Sequence, residues 1–200
     1  MELREELATA GYAFNSDTDT EVILAAYREW GPDCLHRFNG MFAFVMFDTQ
    51  QERIFAARDR FGIKPLYYWF SPKGFLAFAS EIKQFSTLPG WAGKLNGHRA
   101  YDFLTRSLLD HTRETLFADV NQLQGGEYVL SKLSNAQAPL STQKWYELRP
   151  QEIDLDFEQS VGRLKELFFD SIQLQMRADV PIGTGLSGGG TAGDITLNID

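Results

Sequence analysis

The stretch Met41 to Phe47, MFAFVMF, is apolar at every position, which predicts a strand buried on both faces between packed layers. Strand signals repeat outward from it. Asp48 to Glu52 is a polar turn, and Ile54 to Ala57 reads as the returning partner. Leu66 to Phe70 and Phe75 to Ala79 follow as two more strands, joined by Ser71-Pro72-Lys73-Gly74, whose Pro and Gly suit a tight turn. Upstream, Thr18 and Glu21 have capping-box spacing, and Val22, Ile23, Ala26, Tyr27 and Trp30 recur at helical period until Gly31-Pro32. A helix plus an antiparallel sheet is therefore expected over the first 80 residues.

Met1 to Leu7 (MELREEL) reads as the middle of an amphipathic helix with no cap before it. Asn96 is expected to cap a helix reaching Leu109, with Ala100, Phe103, Leu104 and Leu108 on one face. Glu127 to Leu130 and Lys144 to Leu148 are strand-like, separated by a polar surface loop from Ser131 to Gln143. The acidic, aperiodic Pro150 to Asp156 marks a domain boundary. Beyond it, Asp156 and Gln159 open a helix with Phe157, Val161, Leu164 and Phe168 along one side. The aromatic run Tyr67 to Phe70 is expected in the core.

Two hundred residues with 44% hydrophobic composition suit one domain, or one domain plus part of another. The net charge of -8, from 19 basic and 27 acidic residues with no Lys/Arg cluster, argues against a nucleic-acid surface. The single cysteine, Cys34, excludes an internal disulfide framework and fits a reducing, cytoplasmic compartment. No signal peptide and no membrane-spanning apolar run is present, so a soluble protein is expected. His36, His98 and His111 lack metal-ligand spacing. Near the end, Arg177 to Gly190, RADVPIGTGLSGGG, leads a short apolar run into a glycine-rich turn whose bare N–H groups could cradle a phosphate. Gly183, Gly185 and Gly188 satisfy G-x-G-x-x-G, but no complete strand-turn-helix-strand unit follows, and no Gly-Lys-Ser or Gly-Lys-Thr marks a Walker loop.

Four separated blocks carry a family pattern: SDTDTEVIL (Ser16–Leu24), NGMFAF (Asn39–Phe44), ARDRFGIKPLYY (Ala57–Tyr68) with ASEIK (Ala79–Lys83), and Arg177 to Gly189. Together, and over essentially the whole chain, they closely resemble the glutamine-hydrolysing asparagine synthetases. The resemblance implies an α+β fold. Residues 1–149 would form an incomplete αββα sandwich of the N-terminal-nucleophile type, a class II glutamine amidotransferase domain lacking its N-terminal portion. Residues 150–200 would begin an α/β ATP-pyrophosphatase-type synthetase domain. The implied activity is ATP-dependent amidation of aspartate to asparagine, with ammonia freed from glutamine and shielded in a tunnel because it is mostly ammonium in neutral water. Glutamine, aspartate and ATP are the implied substrates and Mg2+ the implied cofactor. Nucleic acid and membrane are not expected partners, and a homodimer is left open.

The family nucleophile is a cysteine directly after the initiator methionine, with its own α-amino group as base. Here Glu2 follows Met1. The family's carboxylate-binding arginine and oxyanion Asn-Gly pair fall in a segment that would precede Glu2. No catalytic residue is therefore assigned, and the chain alone is expected to perform neither half-reaction. Asp19 matches the family aspartate that binds the α-ammonium group of glutamine. The alternative is an acid placed in a first helical turn, where the dipole contributes about 0.3 to 1 kcal/mol. Cys34, after a Gly-Pro-Asp turn, is read as a buried small hydrophobe rather than a substitute nucleophile. Arg58, Asp59, Arg60 and Lys64 form a charged cluster beside aromatics that could be a binding patch or a salt-bridged turn setting strand register. The resemblance places this stretch in the framework near the two-domain interface and the ammonia route, so they are read as architectural. Leu186, Ser187, Gly188 and Gly189 match the family's ATP-binding loop, whereas Gly190, Thr191 and Ala192 replace its aliphatic residue, aspartate and serine. That removes an acid from the magnesium-pyrophosphate end and a hydroxyl from the anion cradle. So abrupt a change near Gly189 is what a reading-frame error would produce. A non-catalytic glutamine-binding or regulatory module and an amido ligase acting on another carboxylate are the alternatives.

Overall fold

The computed structural model describes residues 2–132 and 140–176. Along the chain run α1 (Glu2–Thr9), α2 (Asp19–Trp30), β1 (Ala43–Asp48), β2 (Arg53–Arg58), β3 (Tyr67–Phe70), β4 (Leu76–Ala79), α3 (Gly97–Arg106), β5 (Val120–Gln122), β6 (Glu127–Lys132), β7 (Gln143–Lys144) and α4 (Phe157–Gln175). 3₁₀ segments lie at Gly31–Arg37 and Ile82–Thr87. The strands form two antiparallel sheets, β1-β2-β6-β7 and β4-β3-β5, so the fold is mixed α+β. In the first hairpin Ala43 stands opposite Arg58 and Asp48 opposite Arg53. Asp48 Oδ1 closes the turn by accepting from the N–H groups of Gln50 and Gln51, both at 3.0 Å.

Side-chain alternation assigns the layers. Phe44, Met46, Phe55, Ala57, Tyr128 and Leu130 of the first sheet pack with Leu7 of α1, Ala26 of α2 and Cys34–Leu35 of the first 3₁₀ segment. On the other face Ala43, Ile54, Ala56 and Val129 meet Tyr68, Phe70, Leu76 and Phe78 of the second sheet. Behind the second sheet, Trp69, Ala79 and Val120 pack on Phe85 and Trp91. Tyr68 and Trp69 are buried as expected, and a fully buried large apolar side chain contributes at most about 1.5 to 3 kcal/mol.

The seven-residue apolar run is not a strand buried on both faces. β1 begins at Ala43 and lies at the edge of its sheet. The second sheet reaches Ala43 but leaves Val45 43% and Phe47 49% exposed. The expected capping box at Thr18 and Glu21 is also absent. Thr18 is the N-cap without a side-chain cap bond, and Glu21 turns to the preceding loop instead. Asn96 does cap α3, its Oδ1 accepting from Arg99 N–H at 3.4 Å, but the helix stops at Arg106 because Ser107 takes a left-handed φ of 55°. No α3 residue is buried and Leu104 is 80% exposed, so its expected apolar face covers no core. β7 ends at Lys144 instead of reaching Leu148. Three-residue β5, unmarked in the sequence, exists through its pairing with β3. The expected surface loop falls partly outside the described residues: β6 runs to Lys132 and Leu140 is buried.

The chain divides into two compact units, Met1–Arg149 and Pro150–Asp200. In the second, α4 opens with the expected capping box. Asp156 Oδ1 accepts from Gln159 N–H at 2.8 Å, and Gln159 Oε1 accepts from Asp156 N–H at 3.2 Å. Phe157, Val161, Leu164 and Phe168 are all exposed. Among the described residues, no helix is long and apolar enough to cross a membrane.

Candidate functional site

Asp19 is the first residue of α2 and is exposed. Its carboxylate makes no hydrogen bond or ion pair with another described residue. The loop leading to it is gripped from both sides. Arg4 of α1 donates through its two terminal nitrogens to the carbonyls of Ser16 (2.7 Å) and Thr18 (2.9 Å). The same guanidinium lies 4.7 Å from the centre of the Phe14 ring. From α2, Glu21 accepts from the N–H groups of Asn15 (3.1 Å) and Ser16 (2.8 Å) and from Ser16 Oγ (2.9 Å). Those bonds, the Ser16 and Asn15 amides first, hold the Glu21 carboxyl below the ordinary glutamate range, and the Arg4 charge adds to the effect. Sequence spacing marked Glu21 as a helix cap and left Arg4 unmarked. Its partners lie 12 and 14 residues away, beyond any local periodicity.

The Arg58 to Lys64 turn is a second construction. Asp59, 2% exposed, accepts N–H bonds from Phe42 (3.3 Å), Phe61 (3.1 Å), Ile63 (2.9 Å) and Lys64 (3.0 Å). Arg58 donates to the carbonyls of Gly62, Lys64 and Leu123 and to Gln122 Oε1. Arg60 donates to the Phe38 carbonyl at 2.6 Å and lies over the rings of Trp145 and Tyr146. The turn is architectural, as expected, but the expected salt bridges are not what holds it. Asp59, Arg58 and Arg60 are satisfied mainly by backbone, because a buried charge needs several hydrogen bonds and the nearest donors and acceptors are main-chain groups, whereas the Lys64 side chain is exposed and only its main chain takes part. Gly125 completes the packing: a Cβ there would stand 2.7 Å from Gly62 N.

Cys34 is fully buried, and burial, with the Asp33 charge second, pushes its thiol up to about 12. It stays a neutral thiol at pH 7 and is no nucleophile. A groove of about 510 Å³ runs beside α2 and the first hairpin, lined by Leu24, Tyr27, Arg28, Phe47, Asp48 and Arg53 among others. Asp19 is not part of it. Leu186, Ser187, Gly188 and Gly189 lie outside the described residues.

The family model described as "Glutamine amidotransferase domain" matches residues 1–146. Among curated proteins, the chain is 30% identical over 195 residues to "Asparagine synthetase [glutamine-hydrolyzing] 3" of Bacillus subtilis, covering 98% of this chain and 31% of that protein. It is 37% identical over 195 residues to a putative asparagine synthetase [glutamine-hydrolyzing] of Mycobacterium bovis, covering 94% of this chain and 29% of the relative. The chain thus spans about a third or less of the length of these relatives. A solved glutamine phosphoribosylpyrophosphate amidotransferase from B. subtilis superimposes with a TM-score of 0.49 at 16% identity, over 72% of this chain and 26% of that one. With the domain model matched across nearly three quarters of its length, the chain belongs to the glutamine amidotransferase domain family.

Proposed function

We propose that this chain is the glutamine-binding part of an amido ligase of the asparagine synthetase kind, with Asp19 pairing with the α-ammonium group of glutamine. The observation that carries the proposal is an exposed carboxylate with no partner among the described residues, at the position where the family register puts the ammonium acceptor. Two antiparallel sheets packed face to face, with α1 and α2 on one outer side, support an αββα sandwich of the N-terminal-nucleophile type. Residues 1–149 are proposed as the amidotransferase domain and 150–200 as the start of a synthetase domain. The whole protein would convert aspartate, glutamine and ATP to asparagine, glutamate, AMP and pyrophosphate in the cytoplasm. Leu186, Ser187, Gly188 and Gly189 would contact ATP, with Mg2+ at its phosphates. The chemistry at Asp19 is recognition rather than bond making. An ammonium against an exposed carboxylate gains on the order of 1 kcal/mol, since water screens the pair. Asp19→Asn should therefore weaken glutamine binding several-fold to roughly tenfold, measured by NMR titration of the chain with L-glutamine. Equal affinity in the two proteins would overturn the proposal.

A further inference from the structure

Two side chains that belong to neither the core nor the proposed glutamine contact converge on one short loop. Arg4 takes the Ser16 and Thr18 carbonyls, and Glu21 takes the Asn15 and Ser16 amides and the Ser16 hydroxyl. Ser16 is thus held from both sides, its carbonyl by a cation and its amide by an anion. Thr18 Oγ1 lies 2.9 Å from Ser16 Oγ, which extends the grip to the residue before Asp19. Charge-assisted hydrogen bonds are roughly twice as strong as neutral ones. Five of them fall on three residues, Asn15, Ser16 and Thr18, of the four that run up to Asp19. They do not serve as the helix cap, since the Thr18 side chain makes no cap bond.

We infer that Arg4 and Glu21 are positioning residues for substrate: they form a two-sided clamp that fixes the backbone up to Thr18, and so the direction in which the Asp19 carboxylate meets the ammonium group. The inference rests on the reading of Asp19 as the glutamine contact. Arg suits its half because two terminal nitrogens of a rigid planar fork take the two carbonyls in fixed geometry, whereas a lysine offers a single nitrogen on a flexible stem. Glu21 suits the other half because a carboxylate accepts several donors without offering one of its own.

A thermodynamic cycle tests this. L-glutamine is titrated by NMR into the full chain as wild type, Asp19→Asn, Glu21→Gln and the double variant, with Arg4→Lys alongside and the melting temperature recorded for each. Glu21→Gln should weaken glutamine roughly tenfold with the melting transition retained, Arg4→Lys should fall between it and wild type, and the double variant should bind no worse than Asp19→Asn alone. The analogue 4-carbamoylbutanoate, which lacks the α-ammonium, should bind wild type and Glu21→Gln alike. Full additivity of the two substitutions, or equal loss of the analogue, overturns the clamp while leaving Asp19 in place. Wild type that does not respond to glutamine, or Asp19→Asn that binds equally well, removes the Asp19 contact and the positioning role with it.

Discussion

Glu21 shows how much one exposed side chain can organise. Three donors from Asn15 and Ser16 favour its ionised form, so its pKa in the folded chain lies below the unfolded value near 4.3. A depressed folded pKa gives stabilisation that is complete above the unfolded value and is lost as pH falls through the folded one. Hydrogen-exchange protection of the Asn15 and Ser16 amides should accordingly be constant from neutral pH down to about pH 5 and fall steeply below about pH 4. Protection that survives unchanged to pH 3 would show that Glu21 does not order the loop. From sequence, Glu21 stood out by its three-residue offset from Thr18, yet the offset assigned the wrong acceptor task. Nothing local distinguishes a glutamate that caps its own helix from one that reaches past the cap to the previous loop. Cys34 was legible: following a Gly-Pro-Asp turn it was expected inside, and its buried, neutral thiol agrees.

The Arg58 to Lys64 turn links β2 to β3 and carries its own hydrogen-bonding network. Both oxygens of Asp59 are used, Oδ1 by Phe61 and Ile63 and Oδ2 by Phe42 and Lys64. Asp59→Asn would point an amide NH₂ at one of these pairs, leaving buried N–H donors unsatisfied at roughly 1 to 3 kcal/mol each. A loss of about 2 to 4 kcal/mol in urea unfolding is expected, and a change below about 0.5 kcal/mol would refute the role given to this carboxylate. The turn was conspicuous in the sequence as a charged cluster beside aromatics. Its partners were not, because Gln122, Leu123 and Trp145 arrive from elements more than 60 residues downstream. The strands followed a similar rule. The first hairpin and the Ser71–Gly74 turn were legible from apolar runs and turn residues, whereas β5 owes its existence to a neighbour. β1 showed the converse error, since unbroken hydrophobicity says that a strand is apolar and not which of its faces finds a cover.

At the scale of the molecule, every buried core residue among the described residues, from Leu7 to Trp145, lies in the unit Met1–Arg149. A chain ended after Arg149 should therefore unfold in a cooperative transition with a midpoint within about 3 °C of the full chain by calorimetry. Loss of the cooperative transition would show that the second unit is needed to complete the fold. What the sequence by itself determined was the family, through motifs whose backbone demands are local and residue-specific, and the main helices and hairpins, through periodicity. Tertiary structure alone decided which face of β1 is covered, that the charged turn is held by main-chain groups, and that Arg4 and Glu21 meet at the loop before Asp19. Those outcomes depend on segments distant in sequence arriving within hydrogen-bonding range, a condition that hydrophobic pattern does not encode and packed backbone geometry does.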